Sequence, residues 1–162
     1  SELGENFDYF RVRERRKELV AQALAENGLE RKKGALELLK WLREKGIRTA
    51  VATATDEERA TRYLSEIEVL PLLDKVVCST MVENGKPMPD VYLYACKQLG
   101  ELPQNCLALE DSPNGVLSAW RAGCAVVMVP DLTQPDEQIS SILTGVAPDL
   151  SAVIGLIQQM ER

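Results

Sequence analysis

Apolar residues recur at two spacings along the chain, and the alternation between them predicts the order of its elements. After Gly34 the apolar positions follow the period of a helix, which Lys45 and Gly46 end. The short apolar run Ile47–Ala52 predicts a strand. A polar turn from Thr53 to Asp56 leads into another helical stretch, so the order is helix, strand, turn and helix.

The same unit recurs further along the chain. Short apolar runs predict strands at 75–78, 106–109 and 125–129 with an edge strand near Val146, and helical spacing predicts helices at 90–99, 113–122, 137–143 and 151–160. Short strands that alternate with helices predict an α/β fold, a Rossmann-like parallel sheet with helices on both faces. Residues 1–30 predict a helix from Val12 to Leu24 and no strand, so they can form a separate lobe beside a core at 31–162.

Composition and charge exclude several classes of function and of catalytic site. A net charge of -6 disfavours a nucleic-acid or anionic-membrane partner, and no apolar window is long enough to span a bilayer. The N-terminal residues lack a secretory signal pattern, so we expect a cytoplasmic protein. The chain has no histidine, which excludes Ser-His-Asp and Cys-His catalytic sites. The four cysteines form no C-x-x-C pair, and we interpret them as buried thiols.

Candidate chemistry lies in the turns after the predicted strands, because open parallel sheets bind ligands beyond the carboxyl ends of their strands. The Thr53 hydroxyl can hold a phosphate oxygen, but taken alone this segment fits a helix cap by Thr55 or Asp56 better. Lys86 can neutralise a phosphoryl group, but taken alone it fits a solvated loop lysine better.

Glu110 and Asp111 are adjacent acids at the end of a predicted strand, and Mg²⁺ is the natural cation to compensate them. The alternative is that Asp111 or Ser112 caps the helix that begins at Pro113. The two interpretations are compatible. Capping explains Ser112 and Pro113 but does not explain why Glu110 is also acidic.

The order of these groups along the chain resembles that of the haloacid dehalogenase superfamily, in its β-phosphoglucomutase-like and phosphatase branch. Three segments carry the resemblance: Val51–Thr55, Gly85–Asp90, and Leu109–Gly115 with Ala122–Gly123 downstream. The similarity extends from about residue 34 to residue 160. Response regulators use the same groups on a parallel sheet, but in a different order.

The resemblance implies Mg²⁺-dependent phosphoryl transfer to or from a small phosphorylated metabolite, such as a sugar phosphate, through an aspartyl-phosphate. Thr53 and Lys86 would be the catalytic residues. Thr53, Ala54 and Lys86 would bind the phosphate, and Asp111 with Glu110 would hold the metal. Phosphatase and phosphomutase remain open, because both use the same phospho-aspartate. The oligomeric state also remains open.

The Asp-x-Asp segment in which the family carries its nucleophile has no match in this chain. Asp8 follows no apolar strand and has no second aspartate two positions on. The chain can be a piece of a longer enzyme, a phosphate-binding module without activity, or a core whose open slot another segment fills. In the first case we expect the core to lack its first, central strand and residues 1–162 alone to be inactive.

Residues 1–30 would then be the remnant of the family's helical cap lobe. Their helix is rich in basic residues, for which a solvated face is the first interpretation. The resemblance implies a sharper one for Arg15, which falls nearest to a cationic cap position of the sugar-phosphate mutases and would contact the substrate.

Overall fold

The computed structural model describes residues 28–160 and, before them, Arg15, Glu18, Leu19 and Gln22. The chain separates into two compact units, Ser1–Glu30 and Arg31–Arg162. In the first unit the four described residues before Gly28 are helical, and Leu19 is half exposed. The rest of the helix predicted from Val12 to Leu24 lies outside the described residues.

The second unit alternates helices and strands as predicted. Its helices are α1 (Ala35–Glu44), α2 (Glu57–Glu66), α3 (Asp90–Leu99), α4 (Pro113–Ala122), α5 (Glu137–Ser140) and α6 (Leu150–Met160). Its strands are β1 (Ala50–Thr53), β2 (Lys75–Cys78), β3 (Leu107–Glu110), β4 (Ala125–Met128) and β5 (Gly145–Val146). Short 3₁₀ turns occupy Leu70–Leu72, Ser79–Met81 and Pro103–Asn105.

The strands form two parallel sheets. One joins β1 to β2, with Ala50 opposite Lys75, and the other has the order β3-β4-β5, with Leu107 opposite Ala125. No strand among the described residues joins β1 to β3. The prediction of a missing central strand is compatible with this topology and stays a prediction.

Alternate side chains of β4 show that helices cover both faces of its sheet. Val126 and Met128 pack into a core with α3 and α4, whereas Val127 joins a second core with α1 and α6. Successive side chains of a strand point to opposite faces, so burial of both sets requires cover on both sides. The predicted α/β architecture is confirmed.

The differences from prediction lie at the ends of elements. The run predicted to be a strand from Ile47 becomes one only at Ala50, because its partner β2 begins at Lys75, opposite Ala50, and the N–H of Thr49 donates to the side chain of Asp74 at 2.7 Å. The helix predicted over 137–143 ends at Ser140, after which 3₁₀-type bonds close the turn.

Two further predictions concern the core and the membrane. Three of the four thiols, Cys78, Cys96 and Cys124, are buried as predicted, whereas Cys106 is only partly buried, and all four are free. Burial raises the pKa of Cys96 to about 11. Among the residues that the model describes, none of the helices has the length and apolar character needed to cross a membrane.

Candidate active site

Thr53 ends β1 at the carboxyl edge of its sheet, and its hydroxyl organises the turn that follows. The backbone N–H of Thr55 donates to Thr53 Oγ1 at 3.1 Å. The cap of α2 is Asp56, which accepts from the N–H of Arg59 at 3.0 Å. One of the two predicted capping residues thus caps the helix, and Thr53 is left at the strand end with a hydroxyl proton that can still be donated.

Ala54 follows at an exposed position, and its carbonyl is engaged away from the strand end. Ser79 Oγ donates to that carbonyl at 2.8 Å. This bond ties the turn after β1 to the residue that follows β2. The turn that holds Thr53 and Ala54 is therefore anchored from the neighbouring strand.

Lys86 is not the solvated loop lysine that its position alone suggested. Its side chain is 16% exposed, and its ammonium donates to the carbonyl of Ala52 at 3.0 Å and to the carboxylate of Glu110. Ala52 lies in β1 and Glu110 ends β3, so one ammonium connects the carboxyl ends of strands from two sheets. The sequence predicted only that Lys86 lies in a turn at the ligand-binding edge of the sheet, and the structure brings its ammonium to both of these strands.

The loop that carries Lys86 is tied to both helices beside it. Arg121 Nη1 donates to the carbonyl of Pro87 at 2.9 Å, and Ser118 Oγ donates to the carbonyl of Met88 at 2.6 Å. At the start of the loop, Asn84 donates twice to Asp90 Oδ1, from its backbone and from its side chain. These bonds determine where the lysine backbone lies, which its own sequence neighbourhood does not reveal.

The Glu110 carboxylate is almost fully buried. Its Oε1 accepts from both the Lys86 ammonium and the Tyr92 hydroxyl. Burial, followed by the charge of Glu110 and the hydrogen bond to it, raises the pKa of Tyr92 well above its ordinary value, so this residue remains a protonated donor. Tyr92 was not among the predicted site residues. Its only signal was a phenol hydroxyl between the apolar residues Val91 and Leu93 of a predicted helix.

The other oxygen of Glu110 faces a glycine in the first turn of α4. A Cβ built on Gly115 would lie 1.8 Å from Glu110 Oε2, far inside contact distance. Ser112 caps this helix by accepting from the N–H of Gly115 at 3.2 Å, and Pro113 takes the first helical position, as predicted. Gly115 is therefore the residue that leaves room for the carboxylate.

Asp111 lies in a different environment from Glu110. Its side chain is 45% exposed, and Asp111 Oδ2 accepts from Lys32 Nζ at 2.9 Å. The same ammonium lies 3.3 Å from an oxygen of Asp131, in the turn after β4. Lys32 was not among the predicted site residues, because its separation from Asp111 along the chain left no signal.

The arrangement accommodates the two predicted metal ligands unequally. Asp111 offers a half-exposed carboxylate at the sheet edge, where a cation can take the place of the Lys32 ammonium. Glu110 already binds Lys86 and Tyr92 through Oε1. Within the described residues, no group of three Asp, Glu, His or Cys side chains could hold a metal. Of the two predicted ligands, only Asp111 is open to solvent in the described part of the chain, and the metal role of both Asp111 and Glu110 stays a prediction.

Arg15 belongs to the first unit. Its guanidinium pairs with Glu18 at 3.0 Å, and both side chains are largely exposed. The pairing fits the solvated helix face that composition favours. The role of Arg15 at a substrate stays a prediction.

Comparison with known proteins places this chain in a family. The model of haloacid dehalogenase-like hydrolases matches residues 2–123. Hexitol phosphatase A of Escherichia coli is 39% identical over 108 residues, which are 67% of this chain and 50% of that protein. A phosphorylated carbohydrates phosphatase of Thermotoga maritima is 34% identical over 119 residues, 74% of this chain and 52% of that protein.

A comparison with solved structures shows a shared fold. The crystal structure of β-phosphoglucomutase from Clostridium difficile matches with a TM-score of 0.74 at 20% identity and covers 98% of this chain and 68% of that one. The chain spans about half the length of the two phosphatases. By the family model and these relatives, the chain belongs to the haloacid dehalogenase-like hydrolases.

Proposed function

We propose that the full-length protein is a phosphatase that hydrolyses the phosphate ester of a small metabolite, with phosphorylated sugars and sugar alcohols as the first substrate class. Two relatives with 39% and 34% identity are named as phosphatases of a hexitol and of phosphorylated carbohydrates. We further propose that the phosphoryl group passes through an aspartyl-phosphate whose aspartate lies outside residues 1–162.

One observation carries this proposal: the Lys86 ammonium is held between the ends of β1 and β3. It contacts the carbonyl of Ala52, the residue before Thr53, and the carboxylate of Glu110, the residue before Asp111. A positive charge fixed at this edge can neutralise the charge that develops on a transferring phosphoryl group. Positioning and charge neutralisation are what phosphoryl transfer needs from a protein.

The other proposed contacts follow from the geometry of the turn after β1. Thr53 Oγ1 accepts from Thr55 N–H, which leaves the hydroxyl proton free to be donated to a phosphoryl oxygen. Ala54 is proposed to contribute to the same phosphate site through its backbone. Lys86 has few rotamers open to it, because its partners lie on two strands.

Mg²⁺ is the proposed cofactor, and Asp111 is its proposed ligand among the described residues. The ion would supply positive charge against the phosphoryl oxygens. Lys32 now neutralises this carboxylate at 2.9 Å and would have to leave it. Glu110 stays a candidate ligand through Oε2 alone. Completing the coordination shell would require further oxygen ligands from substrate, water or the rest of the polypeptide.

The test is phosphate release by the full-length protein from a panel of sugar and hexitol phosphates, with Mg²⁺ and with EDTA. Asp111→Asn should lower kcat roughly 100-fold at unchanged melting temperature, because the variant loses the negative charge that would hold Mg²⁺ beside the phosphoryl oxygens. Asp131→Asn is the matched control, since Asp131 shares Lys32 but is not a proposed ligand. It should retain activity within about threefold.

The outcomes are distinct. Unchanged turnover in Asp111→Asn would reject the metal assignment. A wild-type protein that binds inorganic phosphate but releases none from any ester would reject the enzyme and support a phosphate-binding module. Residues 1–162 assayed alone should show no turnover, and turnover by them would place the nucleophile within the chain.

A further inference from the structure

Tyr92 is the buried group at this site to which no function has been assigned. It is the third residue of α3, and its side chain belongs to the main core. Its hydroxyl donates to Glu110 Oε1, and its ring lies 5.1 Å from Lys86 Nζ. One side chain therefore contacts both partners of the buried ion pair, the carboxylate through a hydrogen bond and the ammonium through the aromatic face.

The Glu110 carboxylate is restrained from three parts of the structure. Lys86 and Tyr92 share Oε1, and the backbone of Gly115 lies against the side of Oε2. A buried carboxylate that loses one donor keeps its charge but loses part of what orients it, and little water can replace the donor. The position of the Lys86 ammonium depends on this carboxylate, since its second partner is only the carbonyl of Ala52.

We propose that Tyr92 is a positioning residue for phosphoryl transfer, acting through Glu110 to hold the Lys86 ammonium at the end of β1. This inference rests on the proposed phosphatase function and adds a residue to it. Tyr92 itself does not contact the phosphoryl group. Its hydroxyl holds the carboxylate, the carboxylate holds the ammonium, and the ammonium meets the charge of the transition state.

A purely structural role makes a different prediction. If the hydroxyl only satisfies its own hydrogen bond inside the core, its removal lowers stability and leaves the kinetics of the folded enzyme unchanged. If it positions Lys86, kcat falls while KM changes little, because the charge that Lys86 meets is greatest in the transition state. The division of the effect between kcat and KM therefore separates the two roles.

The experiment compares Tyr92→Phe with Tyr94→Phe in the full-length protein. Tyr94 lies on the same helix, is partly buried against the same core, and has no hydroxyl hydrogen bond to any described residue. With the hexitol phosphate or sugar phosphate that the wild type hydrolyses, Tyr92→Phe should lower kcat about tenfold with KM within about twofold, the effect of losing a hydrogen bond to a buried charge. Tyr94→Phe should leave both constants within about twofold of wild type.

A double-mutant cycle shows whether Tyr92 acts through Glu110. In a Glu110→Gln background the ion pair with Lys86 is already lost, so adding Tyr92→Phe should lower kcat by less than about threefold. The same tenfold loss in both backgrounds would overturn the proposal, as would an unchanged kcat in Tyr92→Phe. Neither of these two outcomes contradicts the proposed phosphatase function, provided that the wild type is active. A wild type without activity on any ester would overturn the proposed function and this inference with it.

Discussion

Glu110 and Asp111 are neighbours in sequence, and each carboxylate pairs with a lysine ammonium, yet the two pairs lie in opposite environments. The side chains of Glu110 and Lys86 are 6% and 16% exposed, whereas those of Asp111 and Lys32 are 45% and 42% exposed. Glu110 is the last residue of β3 and turns into the core, and Asp111 follows it at the sheet edge. Two adjacent residues therefore carry a buried carboxylate that holds Lys86 in place and an exposed carboxylate that can bind another cation.

This difference in burial determines what each ion pair contributes to stability and to the site. Two charges removed from water depend on each other, because a buried charge without its partner costs several kcal/mol. Two charges that remain in water attract each other weakly and can exchange partners. We therefore expect the Lys86–Glu110 pair to set the geometry of the site and the Lys32–Asp111 pair to yield to a competing cation.

The largest expected effect is that of Lys86→Met. Glu110 would remain buried with Tyr92 as its only hydrogen-bond donor among the described residues, and the free energy of unfolding should fall by about 3 to 5 kcal/mol. Urea denaturation of the full-length protein measures it. Lys75→Met, at an exposed position of β2, is the control and should change stability by less than about 0.5 kcal/mol. A loss below about 1 kcal/mol in Lys86→Met would show that the pair is solvated.

Gly115→Ala is expected to come next. The new Cβ would lie 1.8 Å from Glu110 Oε2, so the carboxylate or the start of α4 must move. We expect a loss of about 1 to 3 kcal/mol in the same denaturation experiment, as for other overpacked sites.

Gly155→Ala provides the matched control for that substitution. Gly155 is an exposed residue of α6 with nothing within 4 Å of its built Cβ, so alanine should stabilise the protein by about 0.5 to 1 kcal/mol. If alanine lowers the free energy of unfolding at position 115 and raises it at position 155, then the space beside Glu110, and not helix propensity, decides the result. Stabilisation by both substitutions would contradict the close contact.

Lys32→Met should have a smaller effect. The Lys32 ammonium is about half exposed, and its pairs with Asp111 and Asp131 together should contribute less than about 1 kcal/mol, declining as salt is added. Thermal unfolding at low and high salt measures this. The same variant should bind Mn²⁺ or Mg²⁺ more tightly by calorimetry, because no ammonium competes for Asp111. Weaker metal binding would show instead that Lys32 supports the acidic edge.

The smallest effect concerns a fully exposed lysine and depends on pH. The Lys33 ammonium donates to Asp149 at 2.7 Å and, with Ser151 and the N–H of Ala152, holds the pKa of that carboxyl below its usual range. A lowered pKa stabilises the folded state above the ordinary value of about 4, and the benefit is lost as pH falls.

Lys33→Met tests this dependence. The melting temperature of wild type should exceed that of Lys33→Met at pH 7. The difference should shrink as pH falls below about 4, where the unfolded chain takes up a proton at Asp149 while the folded chain keeps the carboxylate, and it should vanish once the pH is below the lowered pKa of the folded state. Lys33→Arg should behave as wild type. A difference that grows on acidification would show that another group is responsible.

Much of the fold could be predicted because its signals are local. The bounds of β2, α3 and α4 agree with the prediction residue for residue, since apolar period and turn residues determine them over a few positions. Predicted ends failed where distant groups decide them, as at β1, which begins only at Ala50 because its partner β2 begins at Lys75 and the Asp74 side chain binds the N–H of Thr49.

The site could be predicted only as a set of residue types. Thr53, Lys86 and the acidic pair were predicted because they lie in turns that follow strands. They were expected on one edge of the sheet, because parallel strands present their carboxyl ends together. Which of two adjacent acids enters the core, and which partner each finds, depended on residues far away in the chain. No sequence pattern identifies Tyr92 or Lys32, because the role of each residue comes from its contact with Glu110 or Asp111 in the folded chain.

The amino-acid sequence by itself determined the alternation of strands and helices, the family, and the chemical groups present at the strand ends, since these depend on short-range period and on motif order. Only the tertiary structure decided that Lys86 is buried between two sheets, that Tyr92 shares a carboxylate oxygen with it, and that Gly115 leaves that carboxylate its space. Burial and contact depend on what the rest of the chain brings to a position. The electrostatic energy of a charged side chain depends on the groups around it in space more than on its neighbours in sequence.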